Sequence, residues 1–139
     1  MLKRLKLQNV ALIEIIEINF EKGLNVFTGE SGSGKSLILD SLNSLFGGTN
    51  IPLNHLIRPG KTECFIQAIF DLTPGVRNWL ENNNFSSSFK DVDELNIERR
   101  SFFKNSKVIS KFSLNKISLK RKYLESLGTI LLDFAGQSD

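Results

Sequence analysis

Apolar and polar residues alternate along several short stretches of the chain, and this period of two is typical of β-strands with one buried face. A first strand begins at Leu2 and breaks near residues 9–11. In the best-defined case, a strand over residues 62–72, one face is lined by Cys64, Ile66, Ala68, Phe70 and Leu72. Further strands are predicted over residues 14–20, 24–28, 95–103, 107–114 and 129–134.

A different spacing follows the strand predicted at residues 24–28. Ile38, Leu42 and Leu45 recur at i, i+4 and i+7, which predicts an amphipathic helix that ends at the glycine pair of residues 47–48. Shorter helices are predicted over residues 76–81, where Trp79 would be buried, and over residues 118–127, stopping at Gly128. Residues 50–61 and 82–88 read as surface loops.

Strands that alternate with helices predict an α/β fold, and 139 residues suit a single domain. The composition, 40% hydrophobic and 24% charged, is ordinary for a globular protein. No apolar run approaches the ~20 residues needed to cross a bilayer, so we expect a cytoplasmic protein without a membrane partner. The single cysteine, Cys64, excludes an internal disulfide and a cysteine-based zinc site, and the single histidine, His55, reads as a solvated loop residue.

The net charge of +3 is unevenly distributed. Residues 99–122, called the basic block below, contain nine basic and no acidic residues. The remainder carries the other 9 basic residues of the 18 against all 15 acidic ones, a net charge of −6. This asymmetry indicates an anionic partner, with DNA as the first candidate, although a solvated hairpin and helix face would give the same pattern.

The candidate chemistry lies between the strand predicted at residues 24–28 and the helix that follows it. The sequence Gly29-Glu30-Ser31-Gly32-Ser33-Gly34-Lys35-Ser36 fits the phosphate-binding loop G-x-x-x-x-G-K-[ST] in its expected strand–loop–helix context. The glycines permit backbone angles that a β-carbon forbids, and they let N–H groups approach phosphate oxygens. Lys35 supplies a mobile positive charge, Ser36 offers a hydroxyl to Mg²⁺, and the helix dipole favours the same anion.

The chain resembles a known family at this point. Residues 5–13, and residues 20–30 running into the loop, are similar to the opening of RecN, a family of bacterial DNA double-strand-break repair ATPases related to the SMC proteins. Leu56-Ile57-Arg58-Pro59-Gly60, Arg99-Arg100 and Leu131-Leu132-Asp133-Phe134-Ala135-Gly136-Gln137 fall where that family has similar segments. The resemblance spans essentially the whole chain and is most specific in its first forty residues.

This resemblance implies the N-terminal lobe of an ABC/SMC-type P-loop ATPase head, with a mixed sheet that contains antiparallel hairpins and a P-loop helix. ATP and Mg²⁺ are the implied cofactors, and the ATP would be sandwiched between two heads of a homodimer. Residues Gly29 to Ser36 would hold the phosphates, with Lys35 and Gln137 in catalytic roles and Ser36 and Gln137 on the metal. Gln137 matches the Q-loop glutamine, whose amide can both accept from water and coordinate a metal. Ser31 and Ser33 replace the threonine and alanine usual in that loop.

Members of the resembled family are several times longer, with a coiled-coil arm and a second half of the head that carries the Walker B and signature motifs. We therefore interpret residues 1–139 as a truncated or split N-terminal half, which binds ATP but does not hydrolyse it alone. The implied role is recombinational repair of double-strand breaks at the nucleoid.

Two alternatives remain open at the level of sequence. One is a non-catalytic DNA-binding or assembly module that uses the basic block and a vestigial loop. The other is a small GTPase, since Asp133-Phe134-Ala135-Gly136-Gln137 also fits a D-x-x-G-Q switch. The separation of that segment from Lys35, and the lack of a following N-K-x-D motif, argue against the GTPase.

Overall fold

A computed structural model describes residues 1–22 and 32–132 of the chain, and for residue 22 and residues 32–35 it describes the backbone alone. The strands are β1 (Leu2–Val10), β2 (Ile13–Asn19), β3 (Glu63–Asp71), β4 (Glu94–Lys104), β5 (Lys107–Leu114) and β6 (Ile117–Leu119). The helices are α1 (Gly32–Leu45), α2 (Leu53–Leu56), α3 (Pro74–Asn82) and α4 (Arg121–Leu131), with 3₁₀ turns at Phe20–Lys22 and Ser86–Phe89. The fold class is α/β, as predicted.

The described strands form one sheet in the order β2-β1-β3-β4-β5-β6, and every pairing among them is antiparallel. The predicted hairpin of β4 and β5 is confirmed, with Lys104 opposite Lys107. The turn therefore consists of Asn105 and Ser106, and both have positive φ angles (53° and 67°), as in the hairpin turns whose twist matches that of the flanking strands. The strand predicted at residues 24–28 lies outside the described residues.

One face of the sheet forms the core because alternate residues of each strand point to the same side. The predicted face of β3 is confirmed, with Cys64, Ile66, Ala68 and Phe70 all at most 2% exposed. Leu95 and Ile97 on β4 extend this face. The register brings Ala68 opposite Ile97, so the two strands bury their apolar residues on the same side. We call this side the core face and the opposite side the outer face.

The prediction for the end of the chain is wrong in part. Residues 129–131 belong to α4 and not to a strand, and Gly128 lies inside the helix and does not end it. The reason is packing, because Leu124, Leu127 and Leu131 form a helical stripe that is at most 2% exposed. A β-carbon on Gly128 would lie 2.9 Å from the Cβ of Phe46, so this glycine permits a close approach between α4 and the end of the P-loop helix.

Buried apolar side chains give local structure to part of each segment that was predicted as a loop, residues 82–88 and residues 50–61. Phe85 stacks on Trp79 with ring centroids 5.7 Å apart, and Tyr123 of α4 packs edge-on against the same Phe85 ring at 5.5 Å. A 3₁₀ turn follows, in which Phe89 is buried. In the other segment the short helix α2 buries Leu56, while His55 is exposed as predicted.

Candidate nucleotide-binding site

The described part of the predicted phosphate-binding loop is the start of a helix. Helix α1 begins at Gly32, so Gly34, Lys35 and Ser36 lie in its first turns, where free backbone N–H groups and the positive end of the dipole occur. That first turn contains no acidic side chain that would repel a phosphate. Ser36 is exposed, so its hydroxyl is free of the core and can face a ligand. The predicted helix is thus confirmed, whereas Gly29, Glu30 and Ser31 lie outside the described residues.

The body of α1 is fixed to the sheet by the apolar stripe that its spacing predicted. Ile38, Leu42 and Leu45 are at most 8% exposed, and Phe46 just beyond the helix packs edge-on against Phe70 of β3, with centroids 6.0 Å apart. Burial of this stripe determines which way the N-terminal end of the helix points. The direction of the helix is therefore set by packing in the core.

The C-terminal end of α1 is completed by residues from outside the helix. Gly47 has a φ of +86° and donates its N–H to the carbonyl of Ser44 at 3.0 Å, which is a glycine cap as predicted. The last turn has no basic side chain of its own. Instead, the guanidinium of Arg99, on β4, donates to the same Ser44 carbonyl. A cation at this position stabilises the negative end of the helix dipole.

Arg99 is 2% exposed, which is rare for a charged side chain. Its other donors reach Ser110 Oγ at 2.8 Å and 3.0 Å and Ser101 Oγ at 3.2 Å, and its guanidinium carbon lies 5.0 Å from the centre of the Phe112 ring. Burial, with a smaller contribution from the charge of Arg121, lowers the pKa of Arg99 to about 10. The side chain therefore stays protonated at neutral pH and joins the P-loop helix to the β4–β5 hairpin.

A network of ion pairs links β1, β4 and the 3₁₀ turn Phe20–Lys22. Lys3 Nζ is 2.6 Å from a Glu94 carboxylate oxygen and 3.3 Å from Glu21, and Arg4 contacts the same two carboxylates at 3.2 and 3.3 Å. The hydrogen bond from Lys3 holds the pKa of Glu94 below its usual value, and the same bond raises that of Lys3. Glu21 belongs to the 3₁₀ turn Phe20–Lys22, so the network ties this turn to β1 and β4.

The basic block does not form one surface. Arg99 is buried on the core face, Arg121 lies 5.9 Å from the Phe112 ring on that same face, and Arg100 and Lys111 are opposite each other on the outer face. Sequence reasoning grouped these residues by charge and missed the role of Arg99. The alternation of Leu95, Ile97, Arg99 and Ser101 already placed Arg99 on the buried side, and that signal could have identified it.

The remaining predicted site residue, Gln137, lies outside the described residues, as does Asp133 of the alternative GTPase switch. The position of Gln137 on the metal and the catalytic role of Lys35 both stay predictions. Within residues 1–22 and 32–132, no three His, Cys, Asp or Glu side chains cluster closely enough to hold a metal ion. The hydroxyl of Ser36 is chemically suited to Mg²⁺, an ion that keeps several waters and takes few protein ligands beside the phosphates of its nucleotide. Within the same ranges, no helix has the length and apolar character required to span a membrane.

Comparison with known proteins gives one family match and a consistent set of relatives. An AAA domain model matches residues 4–134. DNA repair protein RecN of Synechocystis sp. is 33% identical over 139 residues, covering 99% of this chain and 23% of the relative, and RecN of Bacillus subtilis is 31% identical with 100% and 23% covered. The SMC head domain of Thermotoga maritima superposes with a TM-score of 0.54 at 18% identity, over 91% of this chain and 41% of that one. The last likeness concerns the fold alone.

Proposed function

The chain belongs to the AAA domain family, and from this premise we propose that it is the ATP-binding part of a RecN-like DNA repair ATPase head. The proposal rests on one observation above the others: a well-anchored helix begins inside the G-x-x-x-x-G-K-[ST] sequence, with no acidic residue in its first turn. A helix N-terminus in this sequence context is suited to a nucleotide's phosphates.

In this proposal the backbone of Gly29 to Gly34 cradles the phosphates, and Lys35 neutralises the outer ones. Ser36 and Gln137 contact Mg²⁺, which would bridge phosphate oxygens and neutralise their charge. Residues 1–139 are the N-terminal part of the head, and the intact protein pairs two heads around ATP and acts on DNA in recombinational repair in the cytoplasm. The chain spans less than a quarter of the length of the RecN relatives reported above, so these activities belong to the proposal for the whole protein.

The decisive experiment is equilibrium binding of Mg-ATP to the wild-type chain and to Lys35→Ala. We expect saturable binding by the wild type and its loss in Lys35→Ala, because the removed ammonium group neutralises the outer phosphates. Lys90→Ala is the matched control, since Lys90 is an exposed lysine that follows the Ser86–Phe89 turn, outside the motif. Circular dichroism and thermal melting verify that both variants fold. Absence of binding by folded wild type at millimolar Mg-ATP would contradict the proposal.

The same assay separates the alternatives. Tighter binding of GTP than ATP would favour the GTPase. A non-catalytic DNA-binding module predicts that DNA affinity falls steeply with salt and is unchanged by ATP. The basic block is divided between the two faces of the sheet, so fewer of its cations can contact one DNA molecule together. This division argues against the non-catalytic DNA-binding module.

A further inference from the structure

The outer face of the sheet carries a group of rings and cations beside the β4–β5 turn that the nucleotide site does not use. The register places Phe65, Arg100 and Lys111 in one row across β3, β4 and β5, and Phe102 opposite Ile109 in the next row. We call these five residues the outer platform. They alternate with buried core-face residues, so their side chains share the side of the sheet opposite to the core.

The aromatic residues of the outer platform are each approached by a cation. The guanidinium carbon of Arg100 lies 5.1 Å from the centre of the Phe65 ring, and Lys111 Nζ lies 5.9 Å from that of Phe102. Both rings are half-buried, Ile109 is 39% exposed, and the two cations are exposed. The platform therefore offers apolar ring surface and positive charge side by side, within reach of a ligand lying across the strands.

The charge of this region is not compensated as it is elsewhere on the outer face. Lys3, Lys6 and Lys116 all form ion pairs with carboxylates. In contrast, within the part of the chain that the structure describes, the ammonium groups of Lys104, Lys107 and Lys111 form no ion pair. Glu63 contacts Arg100 at 3.3 Å, and both side chains of that pair remain about half exposed. Such a pair is weak in water, so the end of the sheet near the turn has an excess of positive charge.

From this arrangement the geometry points to a binding surface for single-stranded nucleic acid on the outer platform, extended by Lys104 and Lys107. Unpaired bases stack on aromatic side chains and on guanidinium planes exposed on a sheet, while lysines track the backbone phosphates. Phe65 and Phe102 are diagonal neighbours on adjacent strands, about 7 Å apart, so two successive bases can each reach a ring. An acidic peptide would engage the lysines but has no bases to stack on the rings, and duplex DNA keeps its bases stacked on one another.

This inference rests on the proposed function in so far as a DNA repair protein would supply such a ligand. The test measures the affinity of the full 139-residue chain for a fluorescent oligothymidylate of about 15 nucleotides, a length within the site size of single-strand binders. The titration is repeated between about 50 and 200 mM salt, a range over which phosphate contacts weaken measurably. A duplex of the same length is the competitor.

The two kinds of contact give different signatures. Phe65→Leu and Phe102→Leu keep an apolar side chain but remove the ring, and we expect each to weaken binding about fivefold or more without changing the salt dependence. Lys107→Gln and Lys111→Gln should each flatten the slope of log Kd against log salt by about 0.7, the value for a phosphate contact on a single strand. Lys122→Gln, in α4 on the other side of the sheet, is the matched control from the same basic block and should bind as the wild type does.

Unchanged affinity in both ring variants would overturn the inference, as would duplex binding as tight as that of the single strand. An equal loss in Lys122→Gln would do the same, because it would show attraction to charge in general. Mg-ATP binding measured on the same samples keeps the two proposals distinct. A chain that binds Mg-ATP but no oligonucleotide retains the proposed function and refutes the outer platform, whereas the opposite result refutes the proposed function alone.

Discussion

Cys64 shows at the scale of a single residue how the core face affects chemistry. Its side chain is 2% exposed on β3, and burial raises the pKa of the thiol to about 11, while the nearby charge of Arg99 acts in the opposite direction. The thiol is therefore protonated throughout the neutral range and lacks the thiolate that makes cysteines reactive. This agrees with the predicted position of Cys64 on the apolar face of its strand.

The raised pKa predicts that the chain loses stability in alkali. Well below pH 9 the thiol is protonated in both the folded and the unfolded chain, so its contribution is fully present there. Between about pH 9 and 11 the unfolded chain releases a proton that the folded chain retains, and the free energy of unfolding should fall by at most about 1.4 kcal/mol per pH unit. Urea denaturation at pH 8 and pH 10.5 measures this loss. Cys64→Ala, which has no thiol, should lose less over the same interval, and an equal loss in the variant would contradict the assignment.

Arg99 marks the limit of prediction from residue type. Charge alone places it with the other cations of the basic block, yet its position in the alternation of β4 places it with Leu95 and Ile97. The structure follows the alternation, because Ser101 and Ser110 hydroxyls and the Ser44 carbonyl satisfy the buried guanidinium. These partners lie on three different elements, and nothing local in the sequence indicates that they meet.

At the scale of elements, period-two and period-3.6 patterns predicted most of the described strands and the P-loop helix within a few residues. The prediction failed at α4, where a glycine can either end a helix or lie inside one. Gly47 ends α1 with a positive φ, as a glycine after a helix commonly does. Gly128 looks equivalent in the sequence but lies within α4, where its missing β-carbon allows contact with Phe46. Only the packing partner distinguishes the two, and that partner is distant in the chain.

Two glycine-to-alanine changes test this interpretation of α4. Gly128→Ala should destabilise the fold by about 1–3 kcal/mol, since a β-carbon 2.9 Å from that of Phe46 forces two packed elements apart and outweighs the gain in helix propensity. Gly75→Ala in α3 is the matched control. The nearest atom to its added β-carbon is Thr73 Oγ1 at 3.9 Å, so the change should be neutral or stabilising by about 0.4–1 kcal/mol.

Urea denaturation of both variants shows directly whether each change raises or lowers the free energy of unfolding. A stabilised Gly128→Ala would contradict the close approach of α4 to Phe46, and would restore the interpretation of Gly128 as a helix end. A destabilised Gly75→Ala would show instead that alanine is tolerated poorly at helical glycines of this chain in general.

At the scale of the whole molecule, the order of the strands could not be read from the sequence. Strand β3 pairs with both β1 and β4, so residues 2–8 meet residues 65–70 across more than fifty intervening positions. No local pattern encodes such a pairing, although the antiparallel hairpins on either side of it follow from short turns. The resulting sheet separates two surfaces: the core face holds the P-loop helix, and the outer face holds the outer platform. Arg99 and Arg100 are adjacent on β4, yet Arg99 lies on the core face and Arg100 on the outer face. This one strand therefore contributes a side chain to each surface.

The last prediction concerns turnover by the whole chain. Phosphoryl transfer to water needs groups that position the phosphates and a further group that orients or activates the water. In the function proposed above, that further group comes from a second half of the head and not from residues 1–139. We therefore expect the chain, saturated with Mg-ATP as judged by the binding assay, to release phosphate no faster than a protein-free solution. Magnesium-dependent release that disappears in Lys35→Ala and persists in Lys90→Ala would show that these residues form a complete catalytic site.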